Sequence, residues 1–91
     1  MSGLTRTVRI CNARGLHARA SAKLVKAVSP FEAEVHIIKD GQAVDARSIM
    51  GLLMLGAGIG SEVEVLAEGP EAETALAAVV ALIEARFDEE T

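Results

Sequence analysis

The residues best able to do chemistry lie in one stretch, Asn12-Ala13-Arg14-Gly15-Leu16-His17-Ala18-Arg19-Ala20-Ser21. A strand-like run precedes it and a helix-like run follows it, so His17 falls where a helix begins. The first turn of a helix leaves backbone N–H groups without partners. Those donors, together with the positive end of the helix dipole, favour an anion at that spot. A neutral imidazole can attack phosphorus, and the phosphohistidine so formed can hand its group onward. Arg19 offers a planar guanidinium that suits phosphate oxygens. The N–H groups of Ala18 and Arg19 are candidate donors to the same oxygens, and Arg14 and Lys23 could add charge around them. The competing reading of His17 is an ordinary surface histidine that opens a helix.

Other reactive side chains carry less. His36 falls on the outward side of a strand, between Val35 and Ile37, and reads as a solvated residue. Cys11 cannot form an internal disulfide, since it is the only cysteine, and reads as a small packing residue near His17. No Cys/His set has zinc spacing, so no metal is expected. The glycines of Gly56-Ala57-Gly58-Ile59-Gly60 are not followed by Gly-Lys-Ser/Thr, which excludes a P-loop. No cofactor and no bound ATP are expected.

The elements that must position His17 follow from periodicity. Leu4 to Ile10 alternates, with Leu4, Val8 and Ile10 on one side and Thr5, Thr7 and Arg9 on the other. Arg6 breaks the apolar side. Asn12 to Gly15 is a turn by composition. Ala18 to Val28 places Ser21, Leu24, Val25 and Val28 at helical spacing and Arg19, Lys23 and Lys26 on the opposite face. Ser29-Pro30 ends that helix, because the residue before proline avoids the α region. Glu34 to Lys39 alternates, Asp40-Gly41 is a two-residue hairpin signal, and Gln42 to Asp45 is the short return strand. Ser48 is an N-cap for a short helix from Ile49 to about Leu55. Ser61 to Ala67 alternates with Val63, Val65 and Ala67 inward. Pro70 is expected at the first position of the last helix. There Ala72, Leu76, Val79, Val80, Ile83 and Phe87 form one apolar stripe. The acidic segment Asp88 to Thr91 is expected to be frayed and solvated.

Strands given as one hairpin plus two separate strands, with helices apolar on one side, predict an α+β sandwich. It would hold a mostly antiparallel sheet with its helices on a single face. The 91 residues make one domain, residues 1–91. Only Phe31 and Phe87 are aromatic, so the core is aliphatic. A net charge of −4 argues against a nucleic-acid backbone binder. No run is long enough to insert in a membrane, and no signal-peptide core opens the chain. A cytoplasmic protein is expected.

Gly15-Leu16-His17-Ala18-Arg19 resembles the active-site signature of HPr, the histidine-containing phosphocarrier family of the bacterial phosphoenolpyruvate-dependent phosphotransferase system. Ser48-Ile49-Met50-Gly51-Leu52 resembles that family's regulatory serine segment, and the element order β-α-β-β-α-β-α matches its open-faced β-sandwich of four strands and three helices. The resemblance implies that His17 takes a phosphoryl group on Nδ1 from enzyme I and passes it to a IIA-type protein. It implies that Ser48 is a regulatory phosphorylation site for an HPr kinase/phosphorylase. It also implies that Ile49, Met50 and Leu53 help form a docking surface, with Leu52 and Leu55 in the core. Ala20 stands where the family commonly has proline. That stretch is closer to the nitrogen-related NPr branch than to sugar-transport HPr. Two rivals differ in class: a regulatory module in which phosphorylation only switches docking, and a small-molecule-binding domain without phosphotransfer.

Overall fold

The computed structural model describes residues 3–91. Strand β1 (Leu4–Arg9) leads to helix α1 (Ala18–Val28), then to the hairpin β2 (Glu34–Lys39) and β3 (Gln42–Asp45). Helix α2 (Ile49–Met54), strand β4 (Glu62–Glu68) and helix α3 (Ala72–Glu84) follow, and a short 3₁₀ turn occupies Arg86–Asp88. The sheet order is β1-β4-β2-β3, and every pairing is antiparallel.

Alternation decides which face is covered. Val8 lies opposite Val63, and Ile37 opposite Val65, so even-numbered residues of β1 and odd-numbered residues of β2 and β4 share one side. Val8, Val35, Ile37, Val63, Val65 and Ala67 are buried there. Ala20, Leu24 and Val28 of α1 and Ala75, Leu76, Val79, Val80 and Ile83 of α3 complete an aliphatic core. Thr5, Thr7 and Arg9 of β1 and the even-numbered residues of β2 and β4, His36 and Glu64 among them, form the uncovered face. The hairpin turn has φ of 50° at Asp40 and 81° at Gly41. Two positive φ values in succession are what a tight type I′ connection requires.

Leu4 and Arg6 stand on the side the alternation gives them, and the start of α3 departs from expectation. Leu4 faces the core side but is 43% exposed, because β1 is an edge strand and open cavities lie between its start and α3. Arg6, on the same side, is exposed beside Glu73 and Leu76 of α3. Pro70 is not the first helical residue. Helix α3 begins at Ala72 with Glu71 as N-cap, and the Glu71 carboxylate accepts the N–H of Glu32 at 2.7 Å instead of closing its own helix. Pro70 and Gly69 form the turn ahead of it.

Phe87 is buried as the stripe requires, yet it is not on α3. The helix stops at Glu84, and Arg86, Phe87 and Asp88 adopt φ of 59°, 53° and 61°. Left-handed backbone costs a side-chain-bearing residue on the order of 1 kcal/mol or more. It persists here because Phe87 is fully buried and its carbonyl accepts the Lys23 ammonium at 2.6 Å. Phe87→Ala therefore removes the largest fully buried side chain and the anchor of the turn. Its unfolding free energy, measured by denaturant titration, is expected to fall by about 3–5 kcal/mol.

Candidate functional site

The site is built by the loop between β1 and α1. Ile10, past the end of β1, is fully buried, and its N–H donates to Ser61 at 2.8 Å. The chain then turns over Asn12, whose side chain is also fully buried. Asn12 Nδ2 donates to the Gly15 carbonyl at 2.8 Å, and the Gly15 N–H returns to the Asn12 carbonyl at 3.2 Å. Gly15 has φ of 64°, and a Cβ there would stand 2.4 Å from the Ala57 carbonyl oxygen. Only glycine allows that approach. The next residue, Leu16, donates its N–H to Ala57 O at 2.9 Å and buries its side chain.

His17 is the N-cap of α1, with φ −75° and ψ 178°, and its side chain caps none of the helix's own N–H groups. Its carbonyl accepts the Ser21 N–H, so the helix starts cleanly. Among the described residues no hydrogen bond engages the N–H of Ala18 or Arg19. Both residues are exposed. The Arg14 and Arg19 guanidinium groups are exposed and make no hydrogen bond within the described chain. Lys23, expected to lend charge, is tied to the Phe87 carbonyl.

The imidazole itself is mostly covered. Its side chain is 15% exposed, and the cover is the segment expected to fray. A main-chain oxygen of Thr91 accepts the Ala13 N–H at 2.8 Å. The Glu89 carboxylate pairs with His17 Nε2 through one oxygen and accepts from Asn12 Nδ2 through the other at 3.0 Å. These contacts overturn the frayed tail: the left-handed turn at Arg86–Asp88 folds it back across the loop. Hydrogen bonds from Asn12 and then from His17 hold the Glu89 carboxyl below its ordinary value of 4.5, against the opposing pull of desolvation. The charges of His17 and Lys23 act in the same direction as those bonds. An ionised carboxylate only accepts, so Nε2–H is the donor in this contact, and in the neutral ring the lone pair then lies on Nδ1. No hydrogen bond to Nδ1 occurs among the described residues.

Sequence reasoning had no means of finding Glu89, since nothing local distinguishes it from its acidic neighbours. Asn12 was legible only as a turn residue. Cys11, nearby in sequence, directs its thiol to the last carbonyls of α3, at 3.3 Å from Ile83 O. His36 is half-buried on the sheet and cross-strand from Asp45 and Leu66. No metal-binding cluster occurs among the described residues, and no helix there is long and apolar enough to cross a membrane.

Ser48 caps α2 as expected, its hydroxyl accepting the Gly51 N–H at 3.0 Å. Leu52 and Leu55 are buried, while Ile49, Met50 and Leu53 are exposed. Met54 at 70% and Ile59 at 63% exposure enlarge that apolar surface beyond the residues singled out from sequence. One open cavity is lined by Leu4, Ala67, Pro70 and Ala72, at the far end of β1 from His17. It gathers few polar groups, which gives the small-molecule rival little to build on.

Comparison with known proteins converges on one family. The family described as PTS HPr component phosphorylation site matches residues 4–85. Phosphocarrier protein NPr of Shewanella violacea is 46% identical over 89 residues, spanning 98% of this chain and 98% of that protein. Phosphocarrier protein HPr of Cupriavidus necator is 49% identical over 86 residues, spanning 94% and 97%. The crystal structure of HPr-C-His from Thermoanaerobacter tengcongensis superposes with a TM-score of 0.92 at 42% identity, covering 97% of this chain and 99% of that one.

The lowered Glu89 pKa has a defined pH consequence. A carboxyl whose folded pKa is depressed adds stability that is complete above the ordinary carboxylate range and is lost as pH falls through the folded value. Wild type should therefore exceed Glu89→Gln in stability at about pH 6, and that margin should shrink as the pH is taken below the ordinary carboxylate range. Denaturant titrations of both proteins above and below that range check this.

Proposed function

The chain belongs to the HPr family of phosphotransferase-system phosphocarriers, and on that premise we propose that His17 carries the phosphoryl group, on Nδ1. The observation that supports this most is the state of the ring. Nε2 is engaged by Glu89, while Nδ1 is unengaged at the start of α1, where the first N–H groups have no partner. The Nδ1 lone pair forms the new N–P bond as the donor's bond to phosphorus breaks, and that electron pair leaves with the donor. Phosphoryl transfer depends on positioning and charge stabilisation more than on acid–base chemistry. The N–H groups of Ala18 and Arg19 and the Arg19 guanidinium are suited to the phosphoryl oxygens. The donor is enzyme I and the acceptor a IIA-type protein. The chain is a relay, with no free substrate of its own to turn over.

Docking is assigned to Ile49, Met50 and Leu53, widened by Met54 and Ile59. Two exposed methionines give an adaptable apolar surface that suits several partners in turn. Ser48 is assigned as a regulatory site for an HPr kinase/phosphorylase. A phosphate there adds roughly −1.5 to −2 charges at a helix start, which tolerates them, so the effect falls on docking and not on the fold. The relatives include both HPr and NPr, so the acceptor belongs either to sugar transport or to a nitrogen-related relay.

Incubation with enzyme I and phosphoenolpyruvate is expected to add one acid-labile phosphoryl group, absent in His17→Ala. A His17→Ala protein that still took up the group would refute the assignment. Arg19→Ala should slow uptake by about tenfold to a hundredfold, as expected for losing one donor to transition-state charge. Met50→Asp should slow transfer to IIA proteins while leaving the phosphohistidine chemically intact. Assays with a sugar-type and a nitrogen-type IIA protein in parallel will separate the two branches.

A further inference from the structure

The Glu89–His17 contact lies outside the sequence signature, and the fold goes to some length to make it. Three consecutive residues with side chains adopt left-handed backbone immediately before Glu89. Phe87 is buried and its carbonyl is held by Lys23, which fixes where the turn points. Asn12 is wholly buried, and its amide is oriented with Nδ2 between the Gly15 carbonyl and the Glu89 carboxylate. That orientation leaves Asn12 Oδ1 buried with no partner. The flipped amide would set an oxygen against two acceptors, so the donor is committed to Glu89 and the orphaned oxygen is the consequence.

We propose that Glu89 is a positioning residue for phosphoryl transfer: held by Asn12, it grips His17 at Nε2–H, presents Nδ1 for attack, and balances the positive charge the ring acquires. This rests on the assignment of His17 as the carrier. When Nδ1 forms its bond to phosphorus, its lone pair is consumed and Nε2 keeps its proton, so the ring becomes cationic. The carboxylate already faces that proton and needs no reorganisation when the charge appears. The same division of labour serves a buried aspartate behind a catalytic histidine, which orients the ring and stabilises the imidazolium without taking the proton. Tautomer choice alone is the smaller part, because free neutral imidazole already favours Nε2–H. Ring orientation and charge are the larger parts. Neither Arg14 nor Arg19 makes a hydrogen bond or ion pair with Glu89, so neither draws the carboxylate away from the ring.

The test compares wild type, Glu89→Ala, Glu89→Gln and Glu89→Asp in phosphoryl uptake from phosphorylated enzyme I, with the imidazole nitrogens followed by ¹⁵N NMR. Glu89→Ala should lower the uptake rate at saturating donor by about tenfold, the scale of one charge-assisted hydrogen bond, with little change in the concentration needed for half-saturation. Glu89→Gln, neutral but of equal length, should retain most of the wild-type ¹⁵N pattern while losing most of the rate. Glu89→Asp should recover part of the rate. The proposal is overturned if Glu89→Ala is phosphorylated at the wild-type rate, or if the ¹⁵N pattern is the same in Glu89→Ala as in wild type. A wild-type protein that takes no group on His17 overturns the carrier assignment and this proposal together. A competent wild type with an indifferent Glu89→Ala removes only the role of Glu89.

Discussion

One hydrogen bond sets most of the geometry: the Leu16 N–H meets the Ala57 carbonyl at 2.9 Å. It joins the loop before α1 to the loop after α2, segments far apart in sequence. Gly15 makes the approach sterically feasible, since any Cβ would collide with the Ala57 backbone. With Leu16 pinned and buried, the chain leaves His17 in extended geometry and α1 starts at Ala18. The same bond anchors the segment that follows α2. The apolar surface of Ile49, Met50, Leu53 and Met54 is therefore held in a fixed relation to the imidazole. The proposed docking and carrier roles call for that arrangement, with a partner gripping one surface while reacting at the other.

Much of the fold was legible because it is local. The alternation of Glu34–Lys39 and Glu62–Glu68, the Asp40-Gly41 turn and the Ser48 cap each involve neighbours within a few residues, and each stands as the pattern requires. What the pattern did not reveal shares a cause as well. Leu4 fits the alternation but lies on an edge strand, and sequence does not say which strand is an edge. Phe87 fits the helical stripe and is buried, but it reaches the core through a left-handed turn. Hydrophobic spacing reports that a residue is inside and is silent on the backbone that brings it there.

The reactive site divides along the same line. His17 at the start of α1 was legible, because a turn followed by an amphipathic helix announces where unpartnered N–H groups will be. Its covering by Glu89 was not, for that pairing spans 72 residues. The chain is acidic overall, at −4, yet only one of its carboxylates reaches the ring. It sits at Nε2 and leaves the helix start free of any carboxylate partner within the described chain. An acid placed at those N–H groups instead would compete with an incoming phosphoryl group for the same donors.

The left-handed run at Arg86–Asp88 also shapes how the molecule comes apart. Its local backbone cost is offset by the buried Phe87 ring, the Lys23 contact and the bonds of Glu89 and Thr91 to the loop before α1, whereas the sheet is held by continuous antiparallel ladders. A terminal segment outside the ladders, held by single bonds, opens at lower free energy than the core. Warming should release this last segment while the sandwich stays intact, baring the imidazole in a molecule that still counts as folded by its overall secondary structure.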